Sequence, residues 1–258
     1  MFEIPLLQEL LPVQVFGLLL VFVRIGAALM LLPGIGEPYV AARTRLMLAL
    51  LISLIAFPLA APDLPAMPER VPDMVLLMLG ELVIGLFLGT VTRLLMSALV
   101  TAGMMIAFSS SMANALVMDP TAAQQGSIAG SFLTLVALLL IFALDIHHLL
   151  LTAVVESYML FPPGQPLPLG DFSDVVARVV SQAFLLAFQI SAPFIVVSGV
   201  FYLGLGLLAR LMPQMQIFFV AIPLQIALGL VVMALALPVM LRVFLTGFES
   251  TVVDLLLP

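Results

Sequence analysis

The chain contains no cysteine, no tryptophan and no lysine, and only 9% of its 258 residues are charged. Without cysteine there is no disulfide, no thiolate nucleophile and no Cys-ligated metal, and the redox compartment stays open. Without lysine, all eight basic residues are arginine: Arg24, Arg43, Arg45, Arg70, Arg93, Arg178, Arg210 and Arg242. The net charge of -6, with no basic cluster, argues against nucleic-acid binding, which needs phosphate neutralisation. Neither a G-x-S-x-G elbow nor a G-x-x-x-x-G-K-[ST] phosphate cradle occurs, so neither nucleophile nor nucleotide chemistry has a motif to rest on.

What is present is apolar. Hydrophobic residues make up 64% of the chain and the mean hydropathy is +1.33, whereas soluble domains are roughly 45–50% apolar and about 25% charged. So few charges cannot cover a globular surface, so lipid or the apolar faces of other subunits must meet much of it. The runs are long rather than alternating, which predicts an all-α, membrane-associated bundle of long, kinked helical hairpins. No polar stretch is long enough for a separate soluble domain, so residues 1–258 read as one unit. The opening MFEIPLLQELLPVQVF lacks a basic n-region and a cleavage site, so insertion is expected to rely on the first apolar helix.

Six apolar segments are expected, since about 18 residues suffice to span a bilayer. They run from Leu10 to Leu32, Leu46 to Ala61, Asp73 to about Phe108, Ile128 to Phe161, Val175 to Leu211 and Gln216 to Phe248. The third and fourth exceed one simple span at ~1.5 Å per residue and must tilt, kink or project. Pro58 to Pro72, with Asp63, Glu69, Arg70 and Asp73, is the clearest solvent-facing loop. Arg43 and Arg45 form the only local basic pair, and the positive-inside rule would place that first loop in the cytoplasm.

Several residue groups could carry chemistry. Gly80-Glu81 opens a stretch in which Gly85 and Gly89 form a GxxxG pair, a spacing that lets helix backbones approach closely. Arg24, Glu81, Arg93, Asp145, Glu156, Arg210 and Arg242 lie in or beside apolar helices. Buried charge needs a partner or hydration, so structural ion pairs are preferred to a proton relay. In Asp145-Ile146-His147-His148, helical spacing puts Asp145 and His148 on one face and His147 about 100° away, and the i, i+4 zinc pattern is absent; no metal or cofactor is expected. Met104, Met105, Met112 and Met118 crowd around the run Ser109-Ser110-Ser111-Met112-Ala113-Asn114, where adaptable side chains could seal a pore or fill a core. Pro193, Pro223 and Pro238 free the carbonyls of Gln189, Phe219 and Ala234, with Gln189, Ser191, Gln216 and Gln225 as candidates to satisfy them.

The segment from Arg210 through Pro213, Gln214, Gln216, Phe219 and Pro223 to Gln225 resembles the most recognisable stretch of the flagellar biosynthetic protein FliR family. Gly80 to Gly89, Asp119-Pro120 after the Ser-rich loop, His147-His148, and Arg24 with Pro33-Gly34 resemble further family features in the same order. The resemblance covers nearly the whole chain. It implies a subunit of the type III secretion export gate in the bacterial inner membrane, at the flagellar basal body, related to an injectisome homologue. It further implies assembly with FliP-like and FliQ-like helical subunits, and with the large export gate protein FlhB, into a helical channel for unfolded flagellar proteins. By position, Ser109, Ser110, Ser111, Met112, Asn114 and Met118 match the family's pore-plugging loop. Gly80, Glu81, Gly85, Gly89, Arg210, Pro213, Gln214, Gln216, Pro223 and Gln225 would serve helix packing and assembly. The run Ser-Met-Ala-Asn-Ala-Leu-Val-Met departs from the family's Gly- and Phe-containing versions. The rival readings are a proton-coupled small-molecule transporter using Glu81, Asp145 and Glu156, and an intramembrane enzyme built on Asp145, His147 and His148.

Overall fold

In an apolar setting a spanning backbone must satisfy its polar groups internally, which long non-alternating runs achieve as helices. The computed structural model describes residues 5–113, 127–211 and 217–256. Among these the helices are α1 (Pro5–Leu31), α2 (Ala42–Ala60), α3 (Val71–Ser109), α4 (Ile128–Ala143), α5 (Ile146–Leu160), α6 (Leu169–Leu211) and α7 (Ile217–Leu256). A 3-10 turn, Ala61–Asp63, follows α2, and no strand occurs among the described residues. Five helices are long and apolar enough to cross a membrane, and α4 with α5 forms a broken sixth candidate.

The long third run is a single helix of 39 residues, about 60 Å at ~1.5 Å per residue, twice the ~30 Å hydrocarbon thickness. The fourth run, too long for one simple span, bends at a break at Leu144-Asp145. There the Leu144 N–H still closes onto the Leu140 carbonyl at 2.9 Å, but Asp145 takes a left-handed conformation with φ 59° and becomes the N-cap of α5. Aspartate is one of the few non-glycine residues that visits this region readily.

The chain divides into two compact units. The first comprises residues up to Leu94, Asp145–Val179 and the end of the chain from Ser250. Its core includes Leu20, Val21, Ile25 and Leu29 of α1, all essentially buried. Helix α2, which packs on α1, buries Ala49, Ser53, Ala56 and Ala60 while Leu50, Leu51, Leu54 and Ile55 stand more than half exposed. Small residues inward and large apolar residues outward is the reverse of a soluble helix, and it suits a face met by lipid or another apolar protein.

Helix α3 crosses α1 at the glycine pair. A Cβ on Gly85 would lie 2.2 Å from the Arg24 carbonyl oxygen, and one on Gly89 would lie 2.5 Å from Leu31 Cβ, whereas nothing lies within 4 Å of a Cβ on Gly80. Two substitutions should therefore differ in sign. Gly80→Ala is expected to be neutral or stabilising by up to ~1 kcal/mol, since alanine loses less backbone entropy in a helix. Gly85→Ala must push backbone from backbone and is expected to destabilise by about 1–3 kcal/mol. Thermal unfolding of the two variants in the same detergent tests the contrast; equal midpoints would remove the crossing from the argument.

The second unit comprises Leu95–Leu144 and Val180–Glu249. Leu133, Ile141, Phe244 and Phe248 are fully buried in it. In it Gly103 of α3 closely approaches Gly130 of α4: a Cβ on Gly103 would sit 2.1 Å from Gly130 Cα. Ser127 caps α4, its Oγ accepting from the Gly130 N–H at 2.9 Å.

Candidate functional site

The Ser-rich segment begins where α3 ends, inside the second unit. The hydroxyl of Ser110 donates to the Ile106 carbonyl at 2.6 Å and that of Ser109 donates to Met105 O, so both turn back on the helix they terminate. Serine competes for backbone acceptors in this way, which is why it suits helix ends. Ser111 then adopts a left-handed backbone, φ 58°, and stops the helix.

This end is held from α7. Gln225, 4% exposed, donates from Nε2 to the Ser109 carbonyl at 2.6 Å, and its Oε1 accepts from the Ser111 hydroxyl at 2.7 Å. One turn along, Gly229 faces Ser110: a Cβ there would lie 2.6 Å from Ser110 Cβ and 3.7 Å from Met112 Cε. The space left among Ser109, Ser110, Phe194, Gln225 and Gly229 is about 10 Å³, room for one water at most. The arrangement anchors backbone.

Gln225 and Ser191 thus do not serve the carbonyls freed by the prolines. The Gln225 amide is committed to Ser109 and Ser111, and the Ser191 hydroxyl points to the Phe188 carbonyl at 3.1 Å and to Met105 Sδ at 3.3 Å. Mid-helix proline made a local partner the natural expectation, but an amide with both donor and acceptor is worth more at an unsatisfied helix terminus. Met104 is 42% exposed and Met112 is half-buried. Asn114, Met118, Asp119, Pro120, Pro213, Gln214 and Gln216 lie outside the described residues. Arg210 and Pro223 are exposed on α6 and α7.

A second constellation occupies the first unit. Arg24 is fully buried. Its Nε donates to Glu81 Oε2 at 2.6 Å, one terminal nitrogen donates to Ser157 O at 3.1 Å and Ser157 Oγ at 3.3 Å, and the other donates to Phe161 O at 2.8 Å. Its guanidinium lies 4.0 Å from the centre of the Tyr158 ring. One side chain therefore ties α1 to α3 and to the end of α5, serving the Phe161 carbonyl there and adding a second donor to the Ser157 carbonyl, which already accepts the Phe161 N–H at 2.8 Å. Beside it Phe87 stacks on Phe172 at 4.1 Å, with Phe161 edge-on at 5.3 Å to Phe172.

Of the seven ionisable groups expected to be buried, only Arg24 and Glu81 are. Arg93, Asp145, Arg210 and Arg242 are exposed and Glu156 is half-buried; lying within an apolar run does not say which way a side chain faces. Asp145 and His148 side chains meet at 3.6 Å while both remain largely exposed. Because Asp145 precedes the helix in a left-handed turn, the donor atoms of Asp145, His147 and His148 all fall within 4.8 Å of one another, closer than helical spacing implies. The aromatic trio, Ser157, Tyr158, Gly103, Gly130 and Gly229 carry no motif, and only a lone Arg in an apolar run advertised that partners must exist.

The bacterial export proteins, family 1, match residues 15–251 of this chain. The flagellar biosynthetic protein FliR of Caulobacter vibrioides is 40% identical over 224 residues, 87% of this chain and 89% of the relative. That of Bacillus subtilis is 32% identical over 237 residues, 91% of each. Yop proteins translocation protein T of Yersinia pestis is 26% identical over 180 residues, 69% of each.

Proposed function

The chain belongs to the FliR family of bacterial export proteins, and from that premise we propose that it is a non-catalytic subunit of the flagellar type III export gate in the inner membrane. The reading makes the chain one wall of a helical channel, built with FliP-like and FliQ-like subunits, and with FlhB beside it, through which unfolded flagellar proteins pass. The carrying observation is the match of residues 15–251 to the bacterial export family, together with likenesses over 224 and 237 residues to proteins named for flagellar biosynthesis. The outward-facing apolar side chains of α2 agree with it, since they give neighbouring subunits a surface to cover. No nucleotide motif occurs in the sequence, so the energy for transport comes from elsewhere in the apparatus.

Within that reading Ser109 to Met118 plugs the lumen at rest, and Gly80, Glu81, Gly85, Gly89, Arg210, Pro213, Gln214, Gln216, Pro223 and Gln225 serve packing and assembly. A proton relay is less well supported. Glu81 is engaged by Arg24 at 2.6 Å, while Asp145 is exposed beside His148.

Purification of the tagged chain in mild detergent should bring down two small, highly apolar helical proteins in excess. Reconstituted in vesicles, that complex should hold an ion gradient, and the same complex lacking Ser109 to Val117 should dissipate it. A chain that purifies alone and transports a solute by itself would favour the transporter. Equal permeability of the intact and deleted complexes would remove the plug assignment.

A further inference from the structure

We propose that Asp145, His147 and His148, at the start of α5, form a binding site for one divalent late first-row transition metal of the zinc class. All three residues belong to the first unit. The site does not depend on the export-gate reading, since it rests on the geometry of a single turn.

The sequence argues against a metal here only if the three residues follow helical spacing, which would turn His147 about 100° from its neighbour. The structure lifts that condition. Asp145 stands outside the helix at φ 59°, and one donor atom from each side chain falls within 4.8 Å of the others. The imidazoles of His147 and His148, adjacent in sequence, lie with ring centres 4.1 Å apart rather than diverging. Asp145 Oδ1 and His148 Nδ1 are 3.6 Å apart. Around a tetrahedral zinc, with bonds of about 2.0–2.2 Å, donors stand roughly 3.3–3.6 Å from one another. One pair already meets that spacing, and the exposed Asp145 and His148 side chains can close the remainder by rotation.

The carboxylate is not spent on the task its position usually gives it. Aspartate at an N-cap normally accepts a backbone N–H two or three residues on, but Asp145 makes no such side-chain bond. Its backbone carbonyl takes the His148 N–H instead, at 3.0 Å. Ile146 and Leu150 are buried, so the first turn of α5 is seated and its ligands start from a fixed base. The exposed side chains just before the site, Leu139, Phe142 and Leu144, are apolar, and a carboxylate in such a stretch is costly without a counter-charge. A dication supplies it. The positive end of α5 opposes a cation by only about two- to fivefold in affinity, which is minor against three coordinating bonds. Imidazole suits zinc, copper and nickel, whereas calcium and magnesium take oxygen ligands. Three protein ligands leave a fourth position to water, and the bound metal would brace the left-handed turn at Asp145.

The test uses the full chain in detergent, purified with a tag that contains neither histidine nor cysteine. His147 and His148 are the only two histidines in the sequence and there is no cysteine, so histidine-dependent binding by this chain reports on this turn alone. Metal held by co-purifying subunits is common to parent and variant and cancels. Calorimetric titration with Zn2+ in excess Mg2+ should show saturable binding of one ion per chain, and Co2+ should give the visible bands of nitrogen-ligated, low-coordinate cobalt. His147→Gln and His148→Gln should each weaken binding by tenfold or more, since losing even an outer partner of a metal ligand costs about 10–100-fold. Asp145→Asn keeps a residue that tolerates the left-handed turn but removes the charge, and should weaken binding too. Zn2+ should raise the melting midpoint of the parent and leave that of the double histidine variant unmoved, while the metal-free midpoints show that both are folded. If the half-buried His147 cannot be replaced without unfolding, the exposed His148→Gln decides. Absence of saturable Zn2+ binding, or parental affinity in His148→Gln, overturns the site. Parental affinity in a folded His147→Gln overturns the three-ligand assignment, and displacement of Zn2+ by Mg2+ overturns the metal class.

Discussion

Arg24→Ala is expected to lose about 3–5 kcal/mol of stability, the usual consequence of stripping one partner from a buried ion pair. The residue is 0% exposed, Glu81 is 2% exposed, and the two meet at 2.6 Å. Removing the guanidinium leaves a buried carboxylate and the Phe161 carbonyl without the donor each now has, while the Ser157 carbonyl keeps the Phe161 N–H. It also empties the space against Tyr158, since an arginine packs through its stem and its flat face as well as its charge. For a chain of this length the loss corresponds to a fall of roughly 6–20 °C in the unfolding midpoint. Two companions separate charge from shape. Glu81→Gln keeps a carbonyl acceptor for Nε and should be much milder. Arg24→Met with Glu81→Leu removes both charges and should recover part of the loss, though the Phe161 carbonyl remains unserved. Melting curves in detergent decide the order; an Arg24→Ala midpoint equal to that of the parent would show that the cluster contributes little.

Gly103→Val is expected to be the most damaging change in the second unit. Even a Cβ would sit 2.1 Å from Gly130 Cα and 2.2 Å from Gly130 N. These are backbone atoms that no rotamer change can move, so α4 must lift from α3. Overpacking of that kind costs about 1–3 kcal/mol. The Ser127 cap, whose Oγ lies 2.8 Å from the same point, adds about 1 kcal/mol when lost. Gly130→Ala supplies the control, since its Cβ would meet nothing nearer than Ser127 Oγ at 3.0 Å and Val100 O at 3.3 Å. A midpoint for Gly103→Val no lower than that for Gly130→Ala would show that the two helices separate freely.

Both predictions rest on pairings between helices, and that marks where reading the chain in one dimension stopped. The glycines at 80, 85 and 89 stood out as a spaced set, yet only 85 and 89 meet α1. Gly103 and Gly130 belong to no motif, because each supplies one small residue to a crossing whose other half comes from a different helix. Gln225 lay within a recognisable family stretch, but its chemistry pointed to the nearby prolines, and the structure spends it on α3. Asp145 was placed by helical spacing, and its left-handed backbone altered which donor atoms come together.

Composition and run length alone determined that the chain is helical and held out of water, because an apolar backbone without strand alternation can satisfy its hydrogen bonds only along its own helix. An arginine in an apolar run, such as Arg24 or Arg93, requires a partner only where it is buried, because a buried charge must be compensated, and the run by itself does not say which of them is. What only the tertiary structure decided is which groups are buried at all and what they touch. Helical periodicity assigns a residue to a face, but the helix opposite that face is chosen by packing among elements far apart in the chain. Glu81 rather than Asp145 or Glu156 therefore ended against Arg24, and the foot of the Ser-rich segment came to rest on Gln225.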